Sequence, residues 1–230
     1  MPTELTDCCR RPRRTGFYNE SSPVRASANR VFRISDQLSL RWRLKRDYGG
    51  QEPDEDGATY LGELYADVCF KGNPRRIGYF SGYLLPVCSQ SWDKGLLLSE
   101  CDGHCQELSN FYGCLIEMGN SIDGFLESGD ILFADRLEIL KPWRGAKYGI
   151  EALNGILQLA GEEFCVSTCC FKPYPLQFQG YADHKPVSSE TLRAFKAARQ
   201  KLADYYVKNL SAERIPRSDE YYFVRVERKN

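Results

Sequence analysis

The sequence predicts a single α/β domain with a mixed, mostly antiparallel central sheet that is flanked by helices. The segment 61–70 alternates apolar and polar residues and predicts a half-buried strand; the turn-forming residues 71–76 follow, and 77–87 is predicted as the partner strand of an antiparallel hairpin. In the second half of the chain, apolar strand-like segments alternate with segments of helical periodicity, an order typical of a mixed sheet covered by helices. The aromatic content of 13% indicates that most of the 230 residues fold.

The N-terminal part is predicted to be an arm followed by the folded domain. Residues 1–28 are polar and arginine-rich, which is typical of a flexible basic arm, and the domain is placed at 29–230. Residues 30–46 are predicted to form a first strand and the start of a helix. The segment 47–58 is rich in Gly, Asp, Glu and Pro and predicts a loop.

The remaining elements are predicted from periodicity and from helix-capping residues. Apolar residues at helical spacing in 105–118 predict an amphipathic helix, and 119–130 predicts a loop. A second helix is predicted over 150–160 with Gly161 as its C-terminal cap, and a third through about 209 with Ser188 or Ser189 as its N-cap. Strands are predicted at 130–140, 164–171 and 221–226.

Charge and hydropathy limit the partners, membrane topology and cellular location that can be expected for this protein. The net charge is zero, so whole-chain electrostatics indicate no particular partner. The sequence has no run of about eighteen apolar residues, which predicts no membrane-spanning helix. Its N-terminus lacks the apolar stretch of a secretory signal, and a cytoplasmic location is therefore expected.

The ten cysteines are predicted to be reduced thiols, and no metal site is expected. Without a secretion signal, disulfides are disfavoured. Several cysteines lie in apolar segments that predict strands or helices, namely Cys69, Cys114, Cys165, Cys169 and Cys170. The compact group Cys101, His104 and Cys105 lacks the second ligand pair that a zinc site needs.

Arginines are concentrated between residues 10 and 46. They are Arg10, Arg11, Arg13, Arg14, Arg25, Arg30, Arg33, Arg41, Arg43 and Arg46. Such a segment can bind the phosphates of DNA or RNA, so nucleic acid stays a minor alternative partner.

The segment WRGAKYGI, residues 143–150, is predicted to bind a phosphate group. It lies between a predicted buried strand and an amphipathic helix, so the free N–H groups and the positive dipole of the helix N-terminus face a potential anion. Gly145 and Gly149 let the backbone approach a ligand closely. Arg144 and Lys147 add positive charge.

This turn resembles the acetyl-CoA cradle of the GNAT superfamily of N-acetyltransferases, in which a strand is followed by Arg-Gly-x-Gly-x-Gly/Ala and a helix. Lys147 stands where the family has its middle glycine. YYVKNL at 205–210 resembles the tyrosine-bearing stretch of the family's late helix, and KPYPLQF at 172–178 resembles a segment of some bacterial and phage members. The family order is first strand, helical region, hairpin, cradle strand and helix, strand, helix and final strand.

The resemblance implies a GNAT-like fold and an acetyl-CoA-dependent N-acetyltransferase that transfers an acyl group directly to a primary amine. It implies that the backbone of Ile139 and Leu140 pairs with the pantetheine arm. It also implies that a run of backbone amides holds the pyrophosphate, those of Arg144, Gly145, Ala146, Lys147, Tyr148, Gly149 and Ile150. Tyr206 is the candidate acid for the leaving thiolate, with Tyr205 as its alternative. Glu138 is the candidate base, with Asp135 and Glu117 as alternatives.

The sequence leaves several alternatives open. The chain could instead be a non-catalytic binding module with a GNAT fold, for a protein or nucleic-acid partner. The amine acceptor is not identified, because loops set it and the fold does not. A homodimer also remains open.

Overall fold

A computed structural model describes residues 30–46, 61–73, 75–87, 94–118, 129–178 and 188–227. The strands in these ranges are β1 (Arg30–Arg33), β2 (Leu38–Arg46), β3 (Gly62–Phe70), β4 (Arg76–Leu85), β5 (Asp130–Ile139), β6 (Val166–Phe171), β7 (Glu213–Arg214) and β8 (Tyr222–Arg225). The α-helices are α1 (Lys94–His104), α2 (Gln106–Met118), α3 (Tyr148–Phe164) and α4 (Ser189–Leu210).

The strands form one eight-stranded sheet in the order β1-β2-β3-β4-β5-β6-β8-β7. Every neighbouring pair is antiparallel except β5 and β6, which are parallel because α3 connects them. The predicted class, a single α/β domain with a mixed and mostly antiparallel sheet flanked by helices, is confirmed.

Two of the described helices cover each face of the sheet. Helices α3 and α4 pack on one face, around buried residues such as Leu40, Phe80 and Ile156. Helices α1 and α2 pack on the other, around residues such as Phe111 and Phe133. Each large apolar side chain buried in these layers contributes about 1.5–3 kcal/mol to the free energy of folding.

The prediction that a helix starts within 30–46 is wrong, because this segment forms β1 and β2. Leu38, Leu40 and Trp42 alternate along β2 and are buried between β1 and β3. Burial at every second residue is the pattern of a strand, and pairing with β3 on a long register stabilises it as one.

The order of elements also differs from the expected GNAT order. Among the described residues, the helical region follows the hairpin of β3 and β4, and no helix precedes that hairpin. Helix α1 was not predicted from the sequence, whereas α2 at Gln106–Met118 confirms the predicted helix. The predicted arm at 1–28 and the predicted loop at 47–58 lie outside the described residues.

Gly161 does not cap α3, because the helix continues to Phe164. The helix ends at Cys165, which has the left-handed conformation, with a φ of 56°, and whose N–H donates to the Ala160 carbonyl. Gly161 instead allows close packing, since a Cβ there would lie 2.8 Å from Val226. Ser188 caps α4 as predicted, and its Oγ accepts a hydrogen bond from the Thr191 N–H at 3.1 Å.

The cysteines of the described ranges are free thiols. Cys165 is exposed at the end of α3 and does not lie within a strand, in contrast to its predicted position. None of the helices in the described part of the chain is long and apolar enough to cross a membrane.

Candidate functional site

The sheet opens where β5 and β6 part. The two strands pair along Asp130–Ala134 and Val166–Phe171, and then β6 ends while β5 continues to Ile139. Beyond Ala134, the one partner of β5 among the described strands is β4. The result is an opening in the sheet, bounded on one side by the free edge of β5.

A β-bulge in β5 marks the start of the opening. Ser81 of β4 pairs with Arg136 and Gly82 pairs with Ala134, so Asp135 is an extra residue on the β5 side. A bulge bends its strand and turns a side chain in a new direction. It therefore directs β5 away from β6 and places Asp135 in the opening.

The opening is continuous with solvent, and about 450 Å³ of space not filled by protein atoms lies within it, part of which is open solvent. Its lining combines apolar side chains with a few polar groups, as ligand sites usually do. The residues that matter for the chemistry are Asp135, Leu137, Leu153, Phe171, Lys172 and Tyr206.

The register of β4 and β5 shows which backbone groups face the opening. The Leu140 N–H donates to the Ile77 carbonyl at 2.8 Å, so it points toward β4. Because directions alternate along an antiparallel strand, Leu137 and Ile139 direct their N–H and C=O groups toward the opening. The structure thus offers the Leu137 backbone and the Ile139 N–H for pairing with a ligand. The Ile139 carbonyl already accepts a hydrogen bond from Arg144, and the predicted Leu140 amide is already used.

The predicted phosphate-binding turn lies between β5 and α3. It begins with a short 3-10 turn at Lys141–Trp143, and α3 begins at Tyr148. Gly145 has a φ of 92° and Lys147 a φ of 62°. These two residues of positive φ turn the backbone between β5 and the N-terminus of α3, and backbone N–H groups in turns of this kind can bind an anion.

Amide groups of this turn are available to an anion. The amides at the two ends are used internally, since the Arg144 N–H donates to Lys141 and the Ile150 N–H donates to Lys147. No side chain caps the helix. Among the described residues, the amides of 145–149 have no hydrogen-bond acceptor. A Cβ built on Gly145 would meet no atom within 4 Å, so the turn is open to a ligand.

The Arg144 side chain folds back onto β5. Its Nε donates to the Ile139 carbonyl at 2.7 Å, and a terminal nitrogen donates to Glu138 at 3.2 Å. Just over half of the side chain is exposed (53%), so the arginine can exchange these contacts for a phosphate without leaving a buried charge unpaired.

The left-handed backbone of Lys147 predicts a measurable strain. A residue with a Cβ costs about 1–2 kcal/mol in this conformation, and the greater flexibility of glycine in the unfolded chain offsets roughly 0.5–1 kcal/mol of that. We expect Lys147→Gly to raise the free energy of unfolding by about 0.5–1 kcal/mol, measured by urea denaturation. Lys147→Ala keeps the Cβ and serves as the control. An equal gain in both variants would show that the lysine charge, and not backbone strain, is responsible.

Tyr206 of α4 lies in the opening. Its ring packs edge-on against Phe171 with 5.0 Å between ring centroids. Burial of the hydroxyl, with a smaller contribution from Tyr205, raises its pKa to about 12. Tyr206 therefore stays protonated at physiological pH and can donate a proton. Tyr205, the alternative acid, is 42% exposed and does not line the opening.

Glu138 is held by three donors. Tyr79 and Arg136 each donate to its Oε2 at 2.9 Å, and Arg144 donates to Oε1 at 3.2 Å. The hydrogen bond from Tyr79, with the hydrogen bond and charge of Arg136, lowers the pKa of this carboxyl. These partners favour the ionised form and make Glu138 a weak proton acceptor.

Asp135 lies in a different environment. Its Oδ2 accepts a hydrogen bond from Ser81 at 3.1 Å, and solvent reaches it through the opening. The surrounding protein nevertheless raises the pKa of the carboxyl by desolvation, and the negative charge of Glu107 adds to this. A raised pKa in a cleft is typical of a group that takes up a proton. The remaining alternative, Glu117, is exposed near the end of α2 and does not line the opening.

The structure does not favour a cysteine nucleophile or a metal site. Burial raises the pKa of Cys169 to about 12, and raises that of Cys170 well above its usual value, which disfavours a thiolate nucleophile. Within the described ranges, no group of three or more His, Cys, Asp or Glu side chains lies close enough to hold a metal ion.

Several arginines of the 30–46 segment contact side chains of neighbouring strands within the same domain. Arg41 pairs with Asp67 at 3.3 Å, and Arg43 lies over the Tyr65 ring at 5.2 Å. Arg30 lies over Trp42 at 5.4 Å. The arginines between residues 10 and 25 lie outside the described part of the chain.

No family model matches the sequence, and no curated protein matches it. Among solved structures, the chain is similar to the apo form of a mutant agmatine N-acetyltransferase. The identity is 10%, the TM-score is 0.41, and the match covers 70% of this chain and 73% of that one. A likeness at this level carries no argument about family or activity.

Proposed function

We propose that this chain is an acetyl-CoA-dependent N-acetyltransferase that acts on a primary amine. The observation that carries the proposal is the position of the opening between β5 and β6 beside a turn whose amides at 145–149 have no acceptor within the described part of the chain. A pantetheine arm can pair with the free edge of β5 while the pyrophosphate binds the turn at the N-terminus of α3. The resemblance of 143–150 to the GNAT cradle supports the same arrangement.

Different residues of the site would bind different parts of acetyl-CoA. Leu137 and Ile139 offer backbone groups along the free edge of β5, in the manner of a neighbouring strand. Arg144 and Lys147 add positive charge beside the pyrophosphate, in addition to the free amides. Leu153 and Phe171 provide an apolar wall for the acyl end.

The polar groups in the opening can carry out the two proton transfers that acyl transfer requires. Acetyl-CoA supplies an acyl group activated as a thioester, and a neutral amine attacks it as the C–N bond forms and the C–S bond breaks. We assign Asp135 to take the proton of the amine, since its carboxyl is in the opening and its pKa is raised. Glu138, favoured from the sequence, remains the alternative. Tyr206 gives its proton to the leaving thiolate, and the two groups recover their initial states through solvent.

Isothermal titration calorimetry with acetyl-CoA tests this proposal. We expect a dissociation constant in the micromolar range and at least a tenfold loss of affinity for Arg144→Glu, because the new carboxylate would repel the phosphates. Arg217→Glu, in the exposed turn before β8, carries the same charge change away from the opening and serves as the control. Equal losses in both variants would point to general electrostatics only.

A non-catalytic binding module is the second candidate. The observation that favours it is the Arg144 side chain, which contacts Glu138 and Ile139 and does not reach outward. The same calorimetry separates the two candidates, since a module of this kind would give no heat of binding with acetyl-CoA.

A further inference from the structure

A carboxylate on α2 is held in place beside the opening by two other elements. The Oε1 atom of Glu107 accepts a hydrogen bond from the Tyr221 hydroxyl at 2.7 Å. Its Oε2 accepts one from the Lys172 ammonium at 3.1 Å. Tyr221 is itself fixed by ring contacts with Phe111 and Phe133, at centroid distances of 5.3 and 6.3 Å. The Glu107 carboxylate therefore has one well-defined position.

Lys172 belongs both to the opening and to this group of charges. It follows the last residue of β6 and lines the opening. Its ammonium lies 2.9 Å from Glu220 as well as 3.1 Å from Glu107, over the Tyr221 ring at 5.7 Å. Only 20% of its side chain is exposed, so its charge acts in a partly desolvated environment.

The segment that begins with Lys172 is anchored on α4. Tyr174 and Phe178 both contact the Phe195 ring, with 5.4 and 5.6 Å between centroids. This packing fixes the start of the segment 172–178 against the helix that carries Tyr206. It gives the sequence motif KPYPLQF a structural role as one wall of the opening.

Asp135 lines the opening together with Lys172. Charged and polar groups from several elements either act on Asp135 or line the opening with it. They are Ser81 and Tyr83 of β4, Arg136 of β5, Glu107 of α2, Lys172 after β6 and Tyr206 of α4.

We propose that Glu107 is a positioning residue for Asp135: held by Tyr221, it fixes Lys172 at the wall of the opening that Asp135 also lines, and this pair of charges keeps Asp135 ready to take up the proton of the acceptor amine. This inference rests on the proposed function for its catalytic meaning, but its physical content concerns the free protein. Glu107 disfavours a second negative charge nearby, and Lys172 limits that effect by neutralising Glu107.

The two charges should shift the titration of Asp135 in opposite directions. In Glu107→Gln the repulsion is lost, so the pKa of Asp135 falls. In Lys172→Met the negative charge of Glu107 is less compensated, so the pKa of Asp135 rises. Both shifts can be read in the free protein by NMR from the carboxyl carbon of ¹³C-labelled aspartate, with Asp135→Asn to assign the signal.

A double variant and a matched control make the test specific. If Lys172 acts through Glu107, its effect should largely vanish in the Glu107→Gln background, whereas a direct effect on Asp135 would persist there. Arg199→Met removes a charge that pairs with Glu220 at 3.0 Å and should leave the titration unchanged. Tyr221→Phe, which keeps the ring contacts, should give a smaller shift than Glu107→Gln.

Activity then separates this inference from the proposed function. The acid limb of kcat/KM should move with the NMR titration, to lower pH in Glu107→Gln and to higher pH in Lys172→Met. An unchanged titration in Glu107→Gln, or an equal shift in Arg199→Met, overturns the role of Glu107. If the Asp135 titration shifts with the expected sign but the protein does not bind acetyl-CoA, the charge coupling is supported and the acetyltransferase proposal is contradicted.

Discussion

Tyr206→Phe is expected to lower kcat for acyl transfer by about 10²–10³-fold, with little change in KM for acetyl-CoA. The variant removes only the hydroxyl, and the ring contact with Phe171 at 5.0 Å is retained. The loss should therefore appear in the step that protonates the leaving thiolate and not in binding or folding. Steady-state kinetics with an amine acceptor, together with a thermal melt, measure both quantities.

Tyr205→Phe is the matched control for this experiment, because Tyr205 is exposed on the same helix and does not line the opening. Its kcat should remain within a factor of about two of wild type, as expected for a surface change. Since the pKa of Tyr206 is raised to about 12, its proton remains bound through pH 10, and no alkaline loss of activity should come from this residue. A full kcat in Tyr206→Phe would exclude it as the acid.

Asp135→Asn is expected to lower kcat/KM by about 10²-fold and to remove the acid limb of the pH profile. Asp135 accepts a proton only when ionised, and its pKa is raised, so activity should fall as the pH drops through that raised value. The asparagine has nearly the same shape, so the opening should be preserved. The measurement is kcat/KM from pH 5 to pH 9 at saturating acetyl-CoA.

Glu138→Gln distinguishes the two candidate bases. Because Glu138 is ionised and held by Tyr79, Arg136 and Arg144, its loss should affect the order of the β5 end and the affinity for acetyl-CoA more than the pH profile. If Glu138→Gln removes the acid limb and Asp135→Asn keeps it, the assignment made from the sequence alone is the correct one.

Elements whose signals are local could be predicted from the sequence. The alternation at 61–70 and the turn residues at 71–76 predicted the hairpin of β3 and β4, because period-two burial and turn chemistry act between near neighbours. The glycines around Lys147 predicted the turn before α3 for the same reason. Ser188 predicted the start of α4, since a capping side chain acts within one helical turn.

The tertiary structure alone decided which of these residues meet. The parting of β5 and β6 depends on a bulge at Asp135, and a one-residue change of register leaves no mark in the hydrophobic pattern of β5. The choice between Asp135 and Glu138 depends on partners from other elements, such as Ser81 and Tyr79. The burial of β2 likewise comes from long-range pairing with β3, which outweighs the local preference for a helix. Periodicity and capping are short-range and can be seen in the sequence, whereas the electrostatic environment of a carboxylate is the sum of contacts that exist only once the chain has folded.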